Sequence, residues 1–125
     1  MKNDRNIKGA TTELKVAVAL TALGWHVCRP ITDYCHVDFV GIDTDYKTHK
    51  IQVKSPKATA TGFSLALSKP STKEQYKAHE VDYFATVFED KLYLIPFKSA
   101  TKRHISFCTN SEKQHQFPAH LFELK

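Results

Sequence analysis

No Cys-x-x-Cys pair occurs in this chain, and its three cysteines, Cys28, Cys35 and Cys108, form neither a zinc-ribbon spacing nor an even disulfide framework. Adjacent Cys35 and His36 would point to opposite faces of a strand, so with His26 and Cys28 they read as packed or surface residues, not zinc ligands. No glycine-rich phosphate loop is present, which argues against ATP-driven chemistry. No apolar run is long enough to span a bilayer and no secretory signal is recognisable, so the expectation is a soluble, reduced, cytoplasmic protein away from membranes. Repeats, low-complexity tracts and linkers are also missing. One domain over residues 1–125 is expected, with a core over about 5–96 and an extension over 97–125.

What is present is positive charge. A formal net charge of +5 and a sequence pI of about 9.1 come mostly from lysines spread along the whole chain. Such a balance favours a polyanionic partner, nucleic acid first, but the chemistry must decide it.

The hydrophobic pattern predicts a helix over residues 7–23, stopped by Gly24. Ile7, Leu14, Val18 and Thr21 fall near one stripe and Glu13, Ala17 and Leu20 on the next, which sets Glu13 at the edge of the face expected to pack inward. Strands are expected over 25–29, 34–42 and 50–55, the last two joined by a polar reversal at 43–48. Residues 55–70 read as a loop with a possible edge strand at 63–67. Ser71 with Glu74 is a capping-box pattern, which predicts a short helix over 72–79, with Lys73 and Lys77 on one face and His79 at its end. Residues 83–88 and 91–97 read as a hairpin around Glu89-Asp90, the first strand being apolar enough for burial. Residues 104–108 suggest one more strand, and 118–124 a terminal helix or an extended arm.

The chain is organised around Lys50-Ile51-Gln52-Val53-Lys54-Ser55. The period of two sends Ile51 and Val53 to one face of a strand and Gln52 and Lys54 to the other. A hairpin brings Asp38 near Gln52. An aspartate opposite an amide oxygen and a lysine suits a hard cation and an attacking water, as phosphodiester hydrolysis needs. Taken alone, Gln52 and Lys54 are the solvent face of an amphipathic strand; Glu13, Asp38 and the order of elements shift the reading to a site. Lys57, Lys69, Lys73 and Lys77 are available for phosphates, and Tyr76 is expected to pack on the sheet.

Glu13 on the first helix, Asp38 on the second strand and Gln52-Val53-Lys54 on the third resemble the PD-(D/E)XK nuclease superfamily in a Q-x-K variant. The resemblance implies an α/β fold with a restriction-endonuclease-like αβββαβ core, its mixed central sheet flanked by helices. It also implies that Asp38, Gln52, the Val53 carbonyl and Glu13 hold Mg²⁺, or Mn²⁺ in its place, while Lys54 orients or activates the water. Glutamine where an acid is more usual removes one negative charge from the site. The implied activity is metal-dependent cleavage of double-stranded DNA by a homodimer or homotetramer, as in phage- or intron-associated homing endonucleases. The alternatives are a Holliday junction resolvase acting on branched DNA, or a DNA-binding module that kept the fold and lost catalysis.

Overall fold

The structure, a computed structural model, describes residues 4–32, 36–69, 74–100, 102–109, 117–118 and 123–124. Helix α1 spans Asp4–Ala22. It ends where expected: the Trp25 N–H donates to the Leu20 carbonyl and the Gly24 N–H to the Thr21 carbonyl, the paired bonds of a Schellman cap. Gly24 takes φ of +90°, which a side chain would strain.

The main sheet has six strands in the order β1-β2-β3-β6-β7-β10. These are β1 (His26–Cys28), β2 (Phe39–Ile42), β3 (Thr48–Val53), β6 (Tyr83–Phe88), β7 (Lys91–Pro96) and β10 (Glu123–Leu124). Only β3 and β6 run parallel among these described pairs, so the sheet is mixed, as expected for the α/β class. A second sheet holds β4 (Lys57–Ala58), β5 (Gly62–Ala66), β8 (His104–Cys108) and β9 (Phe117–Pro118) in the order β4-β5-β8-β9.

Strands β6 and β7 are buried on both faces, and their period of two divides the core. Ala85, Leu92 and Leu94 pack with Val16 and Leu20 of α1 and with Phe39, Ile51 and Val53. Phe84, Tyr93 and Ile95 point the other way, against Phe63, Leu65, Ile105 and Phe107 of the second sheet. Each of these fully buried aromatic or branched side chains is worth about 1.5–3 kcal/mol of transfer free energy. The layers are therefore helix, large sheet, small sheet. Glu89 and Asp90, with φ of 50° and 63°, make the tight two-residue turn of the β6–β7 hairpin.

Four expectations change. The outward side of α1 carries Ile7, Leu14 and Val18, which are 51%, 61% and 69% exposed, while Thr12, Val16 and Leu20 face the sheet. A helix apolar on more than one side does not name its buried face by periodicity. The second strand is regular only from Phe39, because the Asp38 side chain takes the next ladder position. The strand expected at the edge over 63–67 instead lies between β4 and β8. Finally, residues 74–79 are not helical: Gln75 bridges Ser68, and the Lys69 N–H donates to the Glu74 carbonyl. His79 sits in a turn, its carbonyl accepting from the Lys50 ammonium. Ser71, Thr72 and Lys73, on which the capping box and the lysine pair rested, lie outside the described residues. A parallel β3–β6 pair needs a crossover, usually helical, and here its described residues include β4 and β5 and no helix. The segment over 118–124 is extended where it is described, at β9 and β10.

Candidate active site

The β2–β3 hairpin turns at Asp43, whose Oδ1 accepts the Asp45 and Lys47 N–H groups and whose Oδ2 bonds His49 at 2.8 Å. Its register pairs Phe39 with Ile51, and Asp38 lies just beyond the last regular pair. The Asp38 N–H donates to the Ile51 carbonyl at 2.9 Å, and Asp38 Oδ2 accepts the Val53 N–H at 2.8 Å. Asp38 thus replaces a backbone rung with a carboxylate.

Glu13 reaches the same point from α1 and shares a hydrogen bond with Asp38. Burial, the Asp38 charge and that bond push the Glu13 carboxyl above its ordinary value. Burial raises Asp38 too, against the Val53 N–H, the Glu13 bond and the charges of Lys54 and Arg29. Two carboxyls in contact resist ionising together, and their shared hydrogen bond raises Glu13 while it lowers Asp38. The helix is fixed to this end of β3 by Thr12, whose hydroxyl lies 3.0 Å from that of Ser55.

Gln52 and Lys54 share the face of β3 that meets the second sheet. The Gln52 Oε1 is fully buried without a hydrogen-bond partner, which costs about 1–3 kcal/mol in an interior with nothing to accept from. Lys54 lies just past the strand, its N–H donating to the Ala85 carbonyl. Its ammonium donates to the Ser68 carbonyl at 3.3 Å and to the Tyr76 hydroxyl at 3.1 Å, which leaves one of three protons for the site. Burial pulls the Lys54 ammonium below its ordinary value, opposed by the Asp38 charge. Burial, then the charges of Asp38 and Glu80, push the Tyr76 hydroxyl up to about 12.

Glu13, Asp38 and Lys54 are thus brought together at one end of β3, where β2, α1 and the crossover meet, while Gln52 lies on the strand face turned away from α1. Among the described residues no three His, Cys, Asp or Glu side chains converge as a metal cage. The donor set is two carboxyls and an amide oxygen, all hard oxygens of the kind Mg²⁺ takes with several waters retained. The orphaned Gln52 oxygen and the crowded Glu13–Asp38 carboxyls both fit a need for such a cation.

Residues 3–122 match the PD-(D/E)XK endonuclease family profile. The chain belongs to that family. The fold agrees with that of a solved bacterial homing endonuclease, I-Ssp6803I, with a TM-score of 0.78, 19% identity and coverage of 96% of this chain and 88% of that one. No curated protein matches the chain. Among the described residues no helix of this PD-(D/E)XK endonuclease is long and apolar enough to cross a membrane.

The expected phosphate-binding lysines differ in their surroundings. Lys57 on β4 and Lys77 are exposed. Lys69 has a side chain only 14% exposed and pairs with Glu80 at 3.0 Å. Lys73 lies outside the described residues.

One neighbour of the site, Arg29, and the bond of a second, Tyr76, to Lys54 escaped the sequence reading. Arg29 is exposed just past β1, its guanidinium carbon 5.5 Å from the Phe39 ring centroid and its charge lowering both carboxyls. A single arginine before Pro30 carries no periodic signal. Tyr76 does pack on the sheet, edge-on to Phe84 at 5.4 Å, but its hydroxyl also serves Lys54.

Proposed function

We propose that this endonuclease hydrolyses phosphodiester bonds of double-stranded DNA with a divalent cation, Mg²⁺ or Mn²⁺, as a homing-type enzyme working as a homo-oligomer. The observation that carries the reading is the hydrogen-bonded Glu13–Asp38 pair within reach of the Lys54 charge, with the buried, unpartnered Gln52 oxygen on the adjoining strand β3. Asp38, Gln52, Glu13 and the Val53 carbonyl would hold the cation. When bound, it supplies Lewis-acid polarisation of the scissile phosphate and a more acidic water.

The chain's own groups do the rest. In hydrolysis the water oxygen bonds to phosphorus while the bond to the leaving ribose oxygen breaks, and negative charge grows on the phosphoryl oxygens. Lys54, held from behind by Ser68 and Tyr76, offers its third N–H to that charge or to the attacking water. Asp38 is held by the Val53 N–H and does not swing. Arg29 adds positive charge at the rim.

One domain of this size meets about half a turn of duplex with its site, so cutting both strands calls for two copies. The exposed row of Ile7, Leu14 and Val18 on α1 supports a second copy there. The fold shared with a homing endonuclease favours that role over junction resolution.

The test is cleavage of a mixed duplex library and a four-way junction with Mg²⁺, Mn²⁺ or chelator, beside Lys54→Ala. Metal-dependent duplex cutting that falls on the order of 10²–10³-fold in the variant is expected. Preference for the junction would replace homing with resolution, and binding without any cut under either metal would overturn catalysis.

A further inference from the structure

The register of the second sheet sorts its side chains into two sets. Phe63, Leu65, Ile105 and Phe107 are buried against the large sheet. Their alternates form the outward face: Lys57 pairs with Ser64 and Ser64 with Ser106 in one row across three strands, and Ala66 pairs with His104 in the next. Lys57, Ala66, His104 and Ser106 are exposed and Ser64 is half-buried. The middle of this face is short and hydrogen-bonding, and its edge is cationic.

The charge pattern of the chain singles out the same surface. Residues 57–66 and 102–109, which supply β4, β5 and β8, contain no aspartate or glutamate and hold Lys57, Lys102 and Arg103. All 13 acidic residues lie elsewhere. A sheet face that only needed solubility would mix long side chains of both signs. This one has nothing to repel a phosphate.

The face also adjoins the site. Lys57 follows Lys54 by three residues, a reach of at most about 11 Å. The Ser68 carbonyl accepts from Lys54, and the adjacent Leu67 N–H donates to the Arg103 carbonyl at 2.6 Å, which ties the start of β8 to the site. At about 3.4 Å per base pair, that places the face within about three base pairs of the cut.

We propose that the outward face of β4, β5 and β8 enters the major groove of duplex DNA beside the scissile bond, with Ser64, Ser106 and His104 against base edges and Lys57 on a phosphate; this rests on the reading of the chain as a DNA endonuclease. Two strands about 4.8 Å apart fit a groove about 12 Å wide. Serine hydroxyls both donate and accept, so they can address any base pair whose edge they reach, and short side chains let the strands come close.

The test uses the full chain in chelator, so that binding is read without cutting. A randomised duplex pool is selected and sequenced, and affinity is measured by anisotropy against salt. The variants are the Ser64→Ala, Ser106→Ala pair, His104→Ala and Lys57→Gln, with Lys15→Gln on α1 as a control and thermal melts to confirm folding. Loss of base preference at two or three adjacent positions is expected from the serine pair, with about 10–100-fold weaker binding of the best site and unchanged binding of random sequence. Lys57→Gln should weaken all sequences alike and reduce the salt slope by about 1. If the serine pair proves unstable, His104→Ala gives the same readout from an exposed position. Wild-type binding without base preference, or variants matching wild type in both preference and salt slope, overturns the assignment of this face. Wild-type protein that binds no duplex overturns the functional reading itself.

Discussion

The Tyr76 hydroxyl lies 3.1 Å from the Lys54 ammonium, whose nitrogen is also 4.9 Å from the Tyr76 ring centroid. One side chain therefore both desolvates the lysine and supplies a hydrogen bond to it. These effects oppose each other, since burial lowers the lysine and a bond to its charged form raises it. Tyr76→Phe keeps the ring and removes the bond. The Lys54 ammonium should titrate lower still, and the limb of the pH–rate profile that belongs to Lys54 should move to lower pH with about a tenfold loss of rate. Titration of ¹³Cε-labelled lysine checks the first effect without any assay of cleavage.

The Glu13–Asp38 pair predicts proton release on cation binding. Both carboxyls are raised, Glu13 by burial, the Asp38 charge and their shared bond, Asp38 by burial. A cation competes with protons for these oxygens, so affinity should climb as pH rises from ordinary carboxylate values through the raised ones. Calorimetry in two buffers of different ionisation enthalpy measures the release directly; identical heats would refute it.

The same shifts fix the sign of a stability effect. Raised folded-state values mean that the folded chain binds the proton more tightly than the unfolded one, so ionisation costs stability across that window and acidification through it restores it. Asp38→Asn should therefore melt higher than wild type above the window and gain nothing below it, while cleavage falls on the order of 10²-fold. Melting curves across pH give the test.

Gln52→Glu puts a carboxyl at a buried, unpartnered position on β3. Without cation the fold should melt lower, from an added charge in a buried place. With Mg²⁺ or Mn²⁺ the order should reverse, with about tenfold tighter binding by calorimetry.

The Glu89-Asp90 turn takes left-handed φ at two non-glycine residues, of which glutamate is the less suited. Asp90→Gly with Glu89→Asn should raise stability by about 1 kcal/mol and leave cleavage unchanged. A melting temperature no higher than wild type would show that the turn is not strained.

How legible the molecule is in its sequence depends on how far apart the partners lie. The β6–β7 hairpin is plain because its alternation and its turn are contiguous, and the approach of Asp38 to the end of β3 is plain because one short loop joins the two strands. The capping box at Ser71 misleads: the Ser68–Gln75 bridge overrides the local signal and brings Tyr76 to Lys54. The second sheet is hidden for a different reason. It pairs β5 with β8 some forty residues on, and its β4 and β9 are two residues each, too short for any period to show. Glu13 is legible as a residue near the inner face, while the outward turn of Leu14 and Val18 is not, since helix periodicity counts apolar positions and not the surface that covers them.

Asp38 is at once the last rung of the β2–β3 ladder and a carboxylate of the site. A hairpin that slipped by a single residue would turn Gln52 and Lys54 to the wrong face and unhook the aspartate in the same motion. Correct assembly and the power to break a DNA strand are then gained together. For an enzyme whose stray activity would harm the genome that houses it, a misfolded copy is a disarmed one.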